Sequence, residues 1–142
     1  MKKIDNPWLG REGYNCIGCC PDNPIGLHLE FWEDGGDVVS QWAPSPDHQG
    51  CVDTLHGGVQ SMLLDEVAGW VVIGLLHTTG VTSKMEVQYV KPISTRHDGP
   101  LTIRARLARQ MRNVAFIEGE IYNGSGEVCT KATLTYFCAP RT

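Results

Sequence analysis

The stretch Leu55-His56-Gly57-Gly58-Val59-Gln60-Ser61-Met62-Leu63-Leu64-Asp65-Glu66-Val67-Ala68-Gly69-Trp70-Val71-Val72-Ile73-Gly74-Leu75-Leu76-His77 reads as the one strong helix of the chain. Its polar side chains Gln60, Ser61, Asp65 and Glu66 lie in the first half, and residues 67–76 carry no charge on any side. A helix that is apolar all round must be buried all round. At 1.5 Å per residue it is about 30 Å long, enough to cross a small domain. The rest of the chain has to wrap it.

What flanks this helix is strand. Residues 25–32 are strand-like, and Asp34-Gly35-Gly36 reads as a hairpin turn into residues 37–42. Pro44, Pro46 and Gly50 make the loop before the helix. After it, residues 81–90 alternate, with Thr82, Lys84, Glu86 and Gln88 on one face and Ser83, Met85, Val87 and Tyr89 on the other. Pro92 ends that strand. Residues 101–107 alternate apolar positions with Thr102, Arg104 and Arg106, residues 113–122 follow, and Asn123-Gly124-Ser125-Gly126 turns into residues 127–138. Short turns between these strands imply antiparallel pairing. Residues 1–24, broken by Pro7, Gly10, Gly13, Gly18, Pro21 and Pro24, read as an irregular leader, and residues 25–142 as one domain. The expected class is α+β, a curled antiparallel sheet wrapped around one long central helix.

Composition narrows the function. A chain of 142 residues, 42% hydrophobic and 20% charged, is one globular domain with a real core. The longest apolar run, residues 68–76, falls short of the ~20 residues of a membrane span. The N-terminal MKKIDNPW has no apolar segment behind its two lysines, so the chain reads as cytoplasmic, with no membrane partner and its six cysteines reduced. The net charge of −4 argues against nucleic acid. Residues 91–112 nevertheless hold six basic residues (Lys91, Arg96, Arg104, Arg106, Arg109, Arg112) against Asp98, so this segment is +5 and the remainder −9. Such a strip suits a small polyanion, or else is a solvated outer sheet face. Cys16-x-x-Cys19 followed by Cys20 has the opening of a zinc site, but no second Cys-x-x-Cys or close Cys/His pair completes it, so no metal is expected. Cys129 and Cys138 read as small apolar core residues.

The helix start carries the chemistry. Gly57 and Gly58 allow close backbone approach to a ligand, and the free N–H groups with the helix dipole suit a carbonyl oxygen gaining negative charge. Asp65 follows about two turns later, with Ser61 on its face and Glu66 turned about 100° away, and can act on a water or on the carbonyl carbon. The same residues also have bland readings: glycines start helices for steric reasons, His56 can serve as a cap, and Asp65-Glu66 can be an exposed acidic pair.

His56-Gly57-Gly58, six residues and then Asp65 in a long hydrophobic helix resemble the PaaI-like acyl-CoA thioesterases of the hot-dog fold. Gly80-Val81-Thr82-Ser83-Lys84-Met85-Glu86-Val87-Gln88-Tyr89-Val90-Lys91-Pro92 is similar to the strand after that family's helix, which ends in an aromatic and a proline. Cys16-Ile17-Gly18-Cys19-Cys20-Pro21-Asp22-Asn23-Pro24-Ile25-Gly26-Leu27 is similar to the leader of one branch, with Cys20 in place of a common glycine.

The resemblance implies hydrolysis of acyl-CoA thioesters to free acid and CoA, without a cofactor. It also implies a homodimer, often paired into a homotetramer, with active sites at the dimer interface. In this likeness the Gly57 amide polarises the thioester carbonyl beside Gly58, Asp65 is general base or nucleophile, and His56 orients the substrate or the loop. A hydroxyl early in the next strand, best matched by Thr82 with Ser83 adjacent, comes from the partner subunit, and the basic strip meets the CoA phosphates. Some members carry an Asn six residues before the motif His to hold the attacking water; here that position is Gly50, with His48 and Gln49 as neighbouring substitutes. Two rival readings remain: a non-catalytic acyl-CoA binding or sensing module on the same fold, and a zinc-stabilised interaction protein built on Cys16, Cys19 and Cys20.

Overall fold

The apolar run forms helix α1, Gly57–Trp70, continued by one wider π-helical turn, Val71–Leu75. The helix was expected to reach His77. It loosens where β-branched Val71, Val72 and Ile73 crowd the backbone next to Gly74, so that Leu76 N–H bonds to Val71 O, and it ends before His77, whose φ of 55° reverses the chain. The structure is a computed structural model and describes residues 1–139.

Among the described residues seven strands form one antiparallel sheet: β1 (Lys2–Lys3), β2 (Trp32–Asp34), β3 (Asp37–Trp42), β4 (Gly80–Tyr89), β5 (Leu101–Met111), β6 (Val114–Tyr122) and β7 (Val128–Cys138). Their order is β1-β2-β3-β5-β6-β7-β4, which leaves β4 at one edge. The sheet curls around α1, as the all-round apolar helix requires. Leu63, Leu64, Val67, Ala68 and Val71 are fully buried against Ile103, Ile117, Ile121 and Leu134. Small residues on the concave face, Ala105, Ala115, Gly119 and Ala132, bring the helix close. A Cβ at Gly119 would lie 3.5 Å from Leu64 Cδ2 and 3.0 Å from Arg104 O. The helical stretch Gly57–Leu75 is long and apolar enough to span a membrane by composition, but here it is the core helix.

The leader differs from its expected reading in two ways. Lys2 and Lys3 pair with Glu33 and Trp32 as a short edge strand. Residues 25–31 do not join the sheet, because Leu27 and Leu29 give their N–H groups to Ile17 O and Gly18 O of the leader, and His28 takes φ 55°. Their alternation still buries Leu27, Leu29 and Phe31, and Phe31 stacks on Trp70 with ring centroids 4.6 Å apart. Cys129 and Cys138 are buried in β7, as their pattern implied.

The outer face of the sheet uses most of the basic strip internally. Arg104 pairs with Asp34 at 2.8 Å and Asp37 at 3.1 Å, Arg106 with Glu120 and Glu118, Lys91 with Glu127, and Arg96 with Asp53. Burial works to raise the Glu120 carboxyl, but the hydrogen bond and charge of Arg106 prevail and hold it below the usual carboxylate range. Among the described residues Arg109 and Arg112 make no ion pair, and Arg109 lies 4.6 Å from the centre of the Phe116 ring.

Two outcomes follow from this packing. Leu64→Ala should lower the unfolding free energy by about 2–5 kcal/mol, read by urea denaturation. Because Glu120 is lowered in the folded state, its contribution is present above the unfolded carboxylate pKa of about 4.3 and is lost as pH falls below it. Arg106→Met should therefore flatten the acid limb of the Tm–pH curve below about pH 4.5 relative to wild type.

Candidate active site

His56 caps α1: its Nδ1 accepts the Gly58 N–H at 2.8 Å, and its extended ψ of 133° turns the loop into the helix. Gly57, the first helical residue, keeps its N–H without a hydrogen-bond partner among the described residues. That amide sits at the positive end of the dipole, as an oxyanion donor must. Tyr89 of β4 packs across it, giving its hydroxyl proton to Gly57 O at 2.8 Å. The Ser61 hydroxyl lies 3.0 Å from Tyr89 Oη and donates to it, since the tyrosine proton is already committed. A Cβ at Gly57 would stand 3.2 Å from that Tyr89 oxygen, so the close approach favours glycine. Below this turn, buried Gln60 donates to Leu55 O at 3.1 Å and accepts from the Thr130 hydroxyl of β7, tying the helix start to the sheet.

Asp65 is half-buried, and its Oδ1 accepts hydrogen bonds from Thr82 Oγ1 of β4 at 2.7 Å and from Tyr136 Oη of β7. Tyr136 also approaches the Asp65 main-chain oxygen at 2.7 Å. Oδ2 accepts no hydrogen bond among the described residues and is the free oxygen of the carboxylate. Burial pushes the Tyr136 hydroxyl pKa up, the Asp65 charge adds to this, and the group stays a donor. The cavity beside Asp65, of ≈ 440 Å³, is shared by Thr82, Tyr136, Trp70 and the leader residues Tyr14 and Cys16.

The structure corrects several expected placements. Thr82 was placed with Lys84, Glu86 and Gln88, facing away from Met85 and Tyr89. Instead a β-bulge leaves Ser83 unpaired, so Thr82 stands opposite Tyr136 and turns inward to Asp65 of its own chain. Ser83 donates to Thr135 O and does not reach Asp65. Ser61 turns to Tyr89 rather than to Asp65. The proposed substitutes around Gly50 are also engaged: Gln49 Oε1 accepts from Asp53 N–H at 3.1 Å, and His48 closes a cap with Ser45 and packs on Trp42. Phe116 lies under Arg109 on the outer face. Tyr136 went unread because β7 looked like plain core; the available signal was a tyrosine on a buried strand face, where the hydroxyl needs a partner.

A long apolar helix held in one curled antiparallel sheet is the hot-dog architecture. Residues 53–130, more than half of the chain and including Gly57, Asp65 and Thr82, match the thioesterase superfamily, and the chain belongs to it. Human acyl-coenzyme A thioesterase 13 is 27% identical over 92 residues, 62% of each chain. The chain spans 53–63% of the length of the curated relatives it matches. A hypothetical thioesterase from Streptococcus pneumoniae, solved with coenzyme A, superposes with a TM-score of 0.72 at 29% identity, covering 80% of this chain and 90% of that one. That protein was also solved with an aspartate and, separately, a threonine replaced by alanine. Zebra fish thioesterase superfamily member 2 shares the fold, with a TM-score of 0.72 at 21% identity over 85% of this chain and 90% of that chain.

Tyr136→Phe should leave the fold intact but cost about 1.5–3 kcal/mol, the scale of one hydrogen bond to a charged group, read by urea denaturation.

Proposed function

We propose that the protein hydrolyses acyl-CoA thioesters to the free acid and CoA, with Asp65 as general base or nucleophile and the Gly57 amide as oxyanion donor. The observation that carries this reading is the pinned Asp65 carboxylate, one oxygen held by Thr82 and Tyr136 and the other free, on the same helix as an unbonded N-terminal amide. The aspartate and threonine replaced in the pneumococcal relative are the residue types that meet here. Its complex with coenzyme A supports the substrate class.

Helix geometry sets how the two groups are used. Eight residues separate Gly57 from Asp65, a rise of about 12 Å. A carbonyl bonded to the Gly57 N–H has its carbon within about 4 Å of that nitrogen, out of reach of Asp65 of the same chain. A site shared across a homodimer, with Gly57 of one protomer facing Asp65 of the partner subunit, meets this constraint. Edge strand β4 supports that pairing, since it exposes Val81 and Tyr89, followed by Val90, along an unpaired margin. Such dimers also pair into a homotetramer in this reading. The carbonyl oxygen accepts from Gly57, while Asp65 Oδ2 either takes a proton from water attacking the carbonyl carbon or attacks it directly. The C–S bond then breaks and the sulfur leaves as the CoA thiolate; on the direct route a water then cleaves the Asp65 acyl anhydride, which gives the free acid and restores the carboxylate. Gly58 leaves room for the substrate beside His56, and Arg109 and Arg112 remain to attract the CoA phosphates.

Thiol release from an acyl-CoA panel (acetyl, hexanoyl, palmitoyl, benzoyl and phenylacetyl) tests the reading. Asp65→Asn should lower kcat by about 10²–10⁴-fold. Gly57→Pro removes the N–H at a helix start, with Tyr89 shifting by a few tenths of an ångström to admit the ring, and should cost about 10²–10³-fold. Mixing the two inactive variants should restore about a quarter of wild-type activity, because half the dimers then hold one intact site. No restoration would place both groups in one chain. No release from any ester, with esters still raising Tm, would leave a binding module.

A further inference from the structure

We propose that Cys16, Cys19 and Glu66 form a binding site for one divalent thiophilic cation of the zinc class, with its fourth coordination position open to the cavity beside Asp65. The pair Cys16-x-x-Cys19 lacked a partner in the sequence, and the fold brings one from α1. The two sulfurs and a Glu66 carboxylate oxygen lie within 4.8 Å of one another. Cys16 Sγ and Glu66 Oε1 are 3.4 Å apart, against the about 3.6 Å expected between a sulfur and an oxygen on one tetrahedral zinc.

The surroundings suit anionic ligand atoms. Gly18 N–H donates to Cys16 Sγ at 3.3 Å, and Trp70 Nε1–H to Glu66 Oε1 at 3.3 Å. Tyr14 Oη receives the Asn6 amide at 2.9 Å and lies 2.8 Å from Cys19 Sγ, where its hydroxyl can donate to a thiolate. Cys16 Sγ and Glu66 Oε1 thus each have an N–H donor orienting them, and Cys19 Sγ has a hydroxyl in hydrogen-bond reach, the support that metal ligands usually receive. The turn lies flat on the carboxylate: a Cβ at Gly18 would be 2.4 Å from Glu66 Cδ, so only glycine lets the two cysteines reach it. A dication bound as the two sulfurs lose their protons would also offset the Glu66 charge beside them.

Two thiolates and one carboxylate select zinc over magnesium or calcium. Cys20 is not a ligand, since its sulfur turns to Tyr14 O at 3.5 Å. The open position leads into the cavity lined by Asp65, Thr82 and Tyr136, where a water completes the tetrahedron. The ion would clamp the leader to α1 one residue from Asp65.

The test titrates the reduced, chelator-stripped full-length protein with Zn²⁺ against a chromophoric chelator, and with Co²⁺ as a spectroscopic probe. One ion per chain is expected, with a thiolate-to-cobalt charge-transfer band and the intense d–d bands of a tetrahedral site. Protons should be released as the ion binds, because both sulfurs ligate as thiolates, so affinity should rise with pH. Cys19→Ser and Glu66→Gln should each weaken binding by at least about 100-fold, Tyr14→Phe by about tenfold, and Cys51→Ser, which alters an exposed thiol elsewhere, not at all. Glu66→Gln keeps the side-chain shape and guards against a folding defect in the cysteine variant. Absence of stoichiometric binding to reduced wild type, cobalt spectra without the thiolate band, or full binding by folded Glu66→Gln would overturn the site.

Discussion

The architecture depends on enclosing one apolar helix. Residues 67–76 expose no polar side anywhere around the helix axis, so any fold that left one flank in water would leave that flank unpaid for by burial. A curled sheet solves most of this. Alanines and Gly119 on its concave face let α1 sit close, while Ile103, Ile117, Ile121 and Leu134 fill the space on either side. The leader covers what the sheet does not, with Phe31 stacked on Trp70 and Ile4 resting on Gly74.

That enclosure also positions the chemistry. The helix start lies at the sheet's rim, where Gln60 and Thr130 lock it to β7 and leave the Gly57 amide pointing outward. Two residues before the wholly apolar part, Asp65 meets hydroxyls from β4 and β7, the neighbouring strands at the sheet edge. Polar groups gather where core gives way to surface, since deeper along α1 a carboxylate would have no partner.

Much of this was legible in the sequence, and the gaps share a physical origin. Periodicity found α1 and the long strands because hydrophobic spacing is local information. The His56-Gly57-Gly58 start and Asp65 were read for the same reason. What stayed hidden depends on residues far apart in the chain. Residues 25–31 alternate like a strand, yet their N–H groups go to Ile17 and Gly18, so the alternation reports burial without sheet pairing. The basic strip looked available to a polyanion because its acidic partners lie on β2, β3 and β6. Glu66 and Tyr136 gain their roles from contacts 50 and 71 residues distant.

The bulge at Ser83 carries a consequence for descent within the superfamily. A strand normally assigns each side chain to a face by counting in twos, so the inward hydroxyl here is decided by one unpaired residue rather than by the identity of position 82. Straightening that bulge would exchange Thr82 for Ser83 at Asp65 without changing any amino acid. Chains that place either hydroxyl residue at this point can therefore keep the same contact by gaining or losing a bulge. Sequence columns would then record a shift of the site where the three-dimensional arrangement had stayed still.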